Sequence, residues 1–216
     1  MKTVLGVSAS PFVRKVRVVL AEKNLEYNLE PVFPGPQAPP DFRKVSPLNK
    51  VPAFRDGDRT LADSSVISAY LERIAPEPPL YPRDPYDYAR ALWFEEYGDG
   101  GLVPVVGAKI FFQRIVGPRF FNQPTDEAVV KQAIETEMPP LFDYLEGELR
   151  GDFLVGQSFT IGDIGIASPL VNLSYAGITP DATRWPKLAA HFTRITSRPS
   201  FAKAIEGEKA EFGFTQ

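Results

Sequence analysis

The stretch "TVLGVSASPFVRK", residues 3–15, passes from a short apolar strand through serine and proline directly into an amphipathic helix. Proline suits the first turn of a helix, because its missing N–H would have had no partner there. A serine just before such a proline stands where a capping side chain stands. Ser8 or Ser10 therefore either starts the helix or holds a hydroxyl at the positive helix end for chemistry.

The residues around this stretch predict a mixed α/β unit. Thr3–Val7 and Tyr27–Val32 are typical of strands, and apolar residues at helical spacing over Pro11–Asn24 predict a helix between them. An irregular proline-rich loop follows over Pro31–Pro40. After it come a β-hairpin and a helix that stops before Pro76. The predicted order is β-α-β, loop, β-β-α.

A second proline-rich stretch separates this unit from a remainder that is typical of an all-α protein. "APEPPLYPRDP", residues 75–85, can form neither a helix interior nor a central strand, and it indicates a stiff linker. Asp84 before Pro85 predicts a helix start beyond it, and Thr160 with Asp163 three residues later predicts another. We expect a first domain, a linker and an all-α second domain at residues 1–76, 77–85 and 86–216.

Composition narrows the possible functions. The net charge is −3 and the pI about 5.4, so nucleic acid and anionic membranes are not expected as partners. No apolar stretch approaches the roughly 20 residues that span a bilayer, and the N-terminal one is too short for a signal peptide, so we expect a cytoplasmic protein. The chain has no cysteine and one histidine, His191, which we interpret as structural. Any thiol chemistry must use a thiol that a ligand brings.

Five stretches, in order along the chain, resemble the glutathione S-transferase family. They are "SPFVRKVR" at 10–17, "SPLNKVPAF" at 46–54, "LADSSVISAYLE" at 61–72, "FTIGDIGIAS" at 159–168 and "WPKLAAHFTRITSRPSF" at 185–201. The second is similar to the family's asparagine-proline-x-glycine-lysine-valine-proline stretch. The resemblance, to a bacterial type with a serine-type first-helix motif, implies the glutathione S-transferase fold. That fold is an N-terminal thioredoxin-like βαβαββα domain followed by a C-terminal α-helical bundle.

The activity that the resemblance implies is that of a detoxifying transferase, which conjugates the glutathione thiolate to small hydrophobic electrophiles. It also implies a homodimer that needs no metal. Ser10 would donate a hydrogen bond to the sulfur, which favours the thiolate and lowers its pKa. Ser8 is the competing residue, because some classes of the family place the hydroxyl differently in this loop. A plain helix cap is the other interpretation of Ser10.

The remaining glutathione contacts are also implied by the resemblance. Pro52 resembles the family's cis-proline, and Val51 would pair through its backbone with the cysteinyl part of glutathione. Lys50 would meet the glycine carboxylate, or would be a solvated lysine beside a turn. Asp63 and Ser64 would bind the γ-glutamyl end, or would only cap a helix, and the family more often has glutamate in place of this aspartate. The implied glutathione-binding residues are Ser10, Phe12, Lys50, Val51, Pro52, Asp63 and Ser64.

The electrophile would lie against the helical domain. Aromatic residues at helical spacing serve as pocket walls or as plain core, and both interpretations stay open. Two further functions are alternatives to conjugation: a glutathione-dependent isomerase or peroxidase, and a non-enzymatic binding or regulatory protein with this fold. The isomerase branch usually has a Ser-Ser-Cys run in the first loop, which "SASPF" lacks. The candidate pocket residues are Phe12, Tyr97, Val103, Phe111 and Phe112.

Overall fold

The computed structural model describes residues 1–214, Gln37 by its backbone only, and the chain divides into two units. The first unit comprises Met1–Tyr81 together with Pro199–Phe212. The second comprises Pro82–Arg198, with Gly213 and Phe214. The domain limits expected above stay a prediction about the parts of the chain that fold separately.

Four short strands form a mixed sheet in the first unit: β1 (Lys2–Leu5), β2 (Tyr27–Glu30), β3 (Ala53–Asp56) and β4 (Arg59–Ala62). Their order across the sheet is β2-β1-β3-β4, with β1 parallel to β2 and the other two pairs antiparallel. A parallel pair needs a crossover connection, which is usually a helix. The helices of this part are α1 (Pro11–Glu22), α2 (Phe42–Val45) and α3 (Ser64–Ile74), with a 3₁₀ turn at Gly35–Gln37. The predicted βαβαββα thioredoxin-like unit is confirmed.

Helix α1 begins as the sequence predicts, with Ser10 as its N-cap and proline in its first turn. Its apolar face is fully buried, and the helix packs against α3. Two charged residues of α1, Arg14 and Lys15, are also buried. The helical pattern does not predict this, because charged side chains are almost never fully buried unless they are paired.

The second unit is helical throughout its regular structure. Its α-helices are α4 (Pro85–Glu96), α5 (Gly117–Phe120), α6 (Glu127–Gln132), α7 (Met138–Glu148), α8 (Ile161–Tyr175) and α9 (Pro186–Thr196), with wider π-helical turns at Tyr97–Val116 and Ala133–Glu137. The last helix of the chain, α10 (Pro199–Phe212), belongs to the first unit. The helical C-terminal part of the predicted fold is confirmed.

Helix α8 is buried along almost its whole length, and two glycines allow this close packing. A Cβ atom on Gly165 would lie 2.8 Å from the Cα of Glu95 in α4, and one on Gly98 would lie 2.3 Å from the carbonyl oxygen of Gly165. Real Cβ atoms essentially never approach so closely. A larger residue at Gly165 would force α8 away from α4, and one at Gly98 would force α8 away from the run Tyr97–Val116.

The start of α8 confirms the predicted capping pair. Asp163 accepts hydrogen bonds from the backbone N–H of Thr160 at 2.8 Å and from that of Leu154 at 2.9 Å. His191 Nε2 lies 2.8 Å from the same carboxylate, and both side chains are buried. This position supports the structural interpretation of His191.

One long helical run departs from what the sequence led us to expect. Pro85–Phe120, 36 residues, is long and apolar enough to cross a membrane by length and composition alone. One such run is weak evidence, because the core helix of a soluble protein passes the same test. Leu102, Val106 and Ile110 of this run are fully buried, as core residues are. Of its most apolar 18-residue window, 33% is buried, so the run stays weak evidence for a membrane span.

Candidate functional site

The Ser10 hydroxyl lies at the N-terminus of α1, where backbone N–H groups point outward. Its oxygen accepts a long hydrogen bond, 3.5 Å, from the backbone N–H of Val13. Among the described residues, this is the one hydrogen bond of the hydroxyl, so its proton is available to an incoming acceptor. The serine is half-buried, which leaves room for that acceptor to reach it.

Ser8, the competing serine, is differently placed. Its side chain is buried, with 2% of the residue exposed, and its hydroxyl donates a 2.5 Å hydrogen bond to Oε2 of Glu211. The proton that a sulfur would need is therefore already used within the protein. This geometry favours Ser10 as the donor, and the assignment itself stays a proposal.

The turn before Pro52 is held by a residue that the sequence reasoning missed. The peptide bond between Val51 and Pro52 is cis, as the resemblance implies. Ser46 is buried, and its hydroxyl donates to the Lys50 carbonyl at 2.7 Å while it accepts from the Lys50 N–H at 3.2 Å. Val51 packs against the apolar cluster around Leu5. The Lys50 backbone and the Val51 side chain are thus both fixed, while the Lys50 side chain remains exposed.

Asn49 explains how this turn departs from the family pattern without losing its shape. Its backbone φ is 54°, in the left-handed region where the family's stretch has glycine. Asparagine is among the non-glycine residues that enter this region most readily. Its side-chain amide also donates to the carbonyl of Gly35 at 2.9 Å, which ties the turn to the preceding loop.

Asp63 caps α3 from a strained backbone conformation. Its φ is 79°, and its Oδ1 accepts from the backbone N–H groups of Ser65 at 2.9 Å and Val66 at 3.2 Å. A non-glycine residue held in such a conformation costs about 1–3 kcal/mol, and such residues cluster at binding sites. Ser64 follows it at the first position of the helix and is buried. The strain at Asp63 is an independent reason to place a ligand here.

The predicted glutathione residues of the first unit are brought together by two close contacts. A Cβ atom on Gly6 would lie 2.5 Å from Cγ2 of Val13 and 3.1 Å from Cβ of Val51, so the end of β1 lies against both α1 and the turn. Lys15 of α1 donates from Nζ to the Ser65 hydroxyl in the first turn of α3 at 3.2 Å. Two helix N-termini and the cis-proline turn therefore lie at one end of the sheet.

The predicted pocket residues of the second unit pack against three different rings. Tyr97 packs against Tyr144 with the ring centroids 4.9 Å apart. Phe111 packs against Phe214 at 6.3 Å, and Phe112 packs against Phe121 at 6.0 Å. Burial, with a smaller contribution from Tyr144, raises the pKa of Tyr97 to about 12. Phe12 and Val103 are half-buried. That these residues line one pocket stays a prediction.

Among residues 1–214, no group of three or more histidine, cysteine, aspartate or glutamate residues is arranged to hold a metal ion.

The mixed sheet with its cis-proline turn and the helical remainder define the glutathione S-transferase fold, and comparison with known proteins agrees. The family models for the glutathione S-transferase N-terminal and C-terminal domains match residues 5–79 and 111–207. A glutathione S-transferase of Hyoscyamus muticus is 30% identical over 207 residues, which cover 93% of this chain and 96% of that protein. The chain belongs to the glutathione S-transferase family.

Two further proteins of the family are similar to this chain over most of its length. A zeta-class glutathione S-transferase of Euphorbia esula is 27% identical over 203 residues, which cover 91% of this chain and 86% of that one. The crystal structure of glutathione transferase F2 from Populus trichocarpa superposes with a TM-score of 0.81 at 28% identity and covers 97% of this chain and 100% of that one.

Proposed function

We propose that this protein transfers the glutathione thiolate to small hydrophobic electrophiles, with Ser10 as the residue that stabilises the thiolate. The thiolate attacks an electrophilic carbon, a C–S bond forms, and the leaving group departs with its electron pair. The observation that carries the proposal is the Ser10 hydroxyl, which lies at a helix N-terminus with its proton uncommitted while that of Ser8 is engaged.

The size of the required effect is within reach of this arrangement. A free thiol has a pKa near 8.5, so ionisation at neutral pH asks for a decrease of about two units, or about 2.7 kcal/mol. A hydrogen bond to a charged group contributes about 1.5–3 kcal/mol. A helix N-terminus adds about 0.3–1 kcal/mol for a nearby anion. Ser10 and the end of α1 together contribute about 1.8–4 kcal/mol, a range that includes the required stabilisation.

The rest of the tripeptide would lie along the same end of the sheet. The backbone of Val51, fixed by its packed side chain, would pair with the cysteinyl part. The exposed Lys50 ammonium would meet the glycine carboxylate. The α-carboxylate of the γ-glutamyl group would lie at the α3 N-terminus beside Ser64, because the partial positive charge of a helix N-terminus favours an anion, while the N–H groups of Ser65 and Val66 stay bonded to Asp63. Asp63 is exposed, and its second carboxylate oxygen would face the α-amino group.

The finer features of the activity are part of the same proposal. The apolar electrophile would lie next to the glutathione sulfur, beside Phe12, which follows Ser10 by two residues. The protein would work as a cytoplasmic homodimer of the serine type found in bacterial members. The mass of the protein in solution tests the dimer.

The first experiment combines glutathione binding by calorimetry with the ultraviolet absorbance of the thiolate followed against pH. We expect binding in the micromolar-to-millimolar range and a thiol that is ionised near pH 7. Replacing Ser10 by alanine should raise the thiol pKa by about 1–2 units, the equivalent of a charge-assisted hydrogen bond, and conjugation should fall more than tenfold. The exposed Ser158, replaced by alanine, is the matched control.

Two results would contradict the proposal. An unchanged thiol pKa in Ser10→Ala would make Ser10 a helix cap and nothing more. No detectable glutathione binding by the unaltered protein would favour the non-enzymatic alternative, a binding or regulatory protein.

Glutathione-dependent isomerisation is the second candidate, favoured by the zeta-class relative among the matches. The same thiolate would add to one carbon of a cis enone, the former double bond would rotate, and elimination would return the thiolate and a trans product. Glutathione is consumed in conjugation and returned in isomerisation. Assaying free thiol during turnover of a cis enone therefore separates the two reactions.

A further inference from the structure

The last helix of the chain returns to the unit that begins it. Helix α10 packs against α1 within the first unit. Two of its carboxylates, Glu208 and Glu211, are three residues apart and so lie on one face of the helix. Both reach the segment that precedes Ser10.

Glu208 acts through two buried or nearly buried guanidinium groups. Its carboxylate is fully buried and accepts hydrogen bonds from Nε of Arg14 at 3.0 Å and from Nη1 of Arg17 at 3.0 Å. The same arginines continue to the backbone: Arg17 Nη1 lies 3.4 Å from the Ser8 carbonyl oxygen, and Arg14 Nη2 lies 3.5 Å from that of Ala9. Glu208 therefore orients the groups that hold these two carbonyls.

Glu211 acts directly, because its Oε2 accepts the 2.5 Å hydrogen bond of the Ser8 hydroxyl. Ser8 and Ala9 are thus held at three atoms, namely two carbonyl oxygens and one hydroxyl. Ser10 is the next residue, and its own N–H donates to the Val7 carbonyl at 3.0 Å. The backbone that carries the Ser10 hydroxyl is therefore tied to α10 immediately before it enters α1.

We propose that Glu211, through its bond to Ser8, is a positioning residue for Ser10, so that α10 sets the strength of the hydrogen bond that Ser10 donates to the glutathione sulfur. This inference rests on the proposed function. Hydrogen bonds weaken steeply with length and misalignment, and a misplacement of about 1 Å can reduce a rate about 100-fold. Glu211 lies beyond the residues 111–207 that match the C-terminal family model.

The test compares three variants: Ser8→Ala, Glu211→Ala and the two combined. The readout is the pKa of the bound glutathione thiol, taken from thiolate absorbance against pH, because a merely structural contact would not change it. We expect each single variant to raise the thiol pKa by about the same amount, and the double variant to raise it no further. The conjugation rate at a fixed pH below this pKa should fall in proportion. Glu206→Ala, an exposed glutamate of the same helix, is the matched control.

Two patterns would overturn the inference. If Glu211→Ala lowers the thiol pKa while Ser8→Ala raises it, then Ser8 itself donates to the sulfur once it is released. If neither variant changes the pKa, the contact with α10 is structural, whatever happens to thermal stability. Ser8→Ala leaves the exposed Glu211 carboxylate in water. Glu211→Ala leaves the buried Ser8 hydroxyl without this partner, which costs about 1–3 kcal/mol, less than the roughly 5–15 kcal/mol of a typical domain. Both variants are therefore expected to fold.

Failure of the proposed function would look different. In that case the unaltered protein would bind no glutathione, or Ser10→Ala would leave the thiol pKa unchanged. If Ser10→Ala raises the thiol pKa while Ser8→Ala and Glu211→Ala leave it unchanged, only the positioning role is rejected.

Discussion

Replacing Glu208 by glutamine should destabilise the first unit severely. The substitution keeps the size of the side chain but removes the charge that faces Arg14 and Arg17, whose side chains are 0% and 10% exposed. Removing one partner of a buried ion pair costs about 3–5 kcal/mol, because the charge left behind is uncompensated. A typical domain has about 5–15 kcal/mol of stability in total. At about 2–4 °C per kcal/mol for a chain of this size, the melting temperature should fall by about 6–20 °C.

Circular dichroism at increasing temperature is the appropriate assay. Both tryptophans of the chain, Trp93 and Trp185, lie in the second unit, so tryptophan fluorescence would not follow the unit that carries Glu208. Glu206→Gln is the control and should change stability by less than about 0.5 kcal/mol, since it is exposed. The double change Arg14→Met with Glu208→Leu should be milder than Glu208→Gln alone, because an apolar pair leaves less buried charge unpaired. A Glu208→Gln protein with the same melting temperature as Glu206→Gln would refute the reasoning.

Two other predictions concern the turn before Pro52 and the aromatic cluster of the second unit. Ser46→Ala removes both hydrogen bonds to the Lys50 backbone, so it should cost about 1–3 kcal/mol in a denaturant titration and raise the Kd for glutathione. An unaltered Kd for glutathione would show that binding does not depend on the hydrogen bonds between Ser46 and the Lys50 backbone. Tyr97, with its pKa raised from 10.0 to about 12, contributes stability that is present below pH 10 and is lost as the pH rises through about 12. Tyr97→Phe should therefore flatten the decline in stability over that range, and an identical decline in both proteins would contradict the assigned pKa.

Local signals in the sequence predicted the helix starts. Ser10 before Pro11, and Asp84 before Pro85, are caps in the structure. Asp163 caps α8 as its position after Thr160 indicates. A cap is formed by residues two or three positions apart, so the local sequence is enough to predict it. The cis-proline turn differs, because its geometry was implied by a family resemblance and by nothing in the residues alone.

Contacts between distant parts of the chain account for what the sequence did not reveal. Arg14 occupies a position that an isolated amphipathic helix would expose, and its partner Glu208 is 194 residues away. The bond from Ser8 to Glu211 spans 203 residues. No spacing rule connects such pairs, so the return of α10 to the first unit could not be predicted. The role of Ser46 was missed for another reason: it stands where the family has asparagine, and the resemblance implies no hydrogen bond from this position to the Lys50 backbone.

A serine before Pro11 can cap the helix and also serve chemistry, because the two roles use different parts of its hydroxyl. A hydroxyl has two acceptor lone pairs and one proton. Ser10 caps α1 by accepting from the Val13 N–H, which uses a lone pair and leaves the proton for a sulfur. Ser8 uses its proton on Glu211 and so cannot donate to a ligand while that bond stands. Which serine can donate to the sulfur therefore depends on which hydroxyl proton is free, and the proton of Ser8 is held by Glu211 of α10. Any change that frees the Ser8 hydroxyl, Glu211→Ala first among them, is consequently the most direct way to ask whether this loop can support two thiolate donors or one.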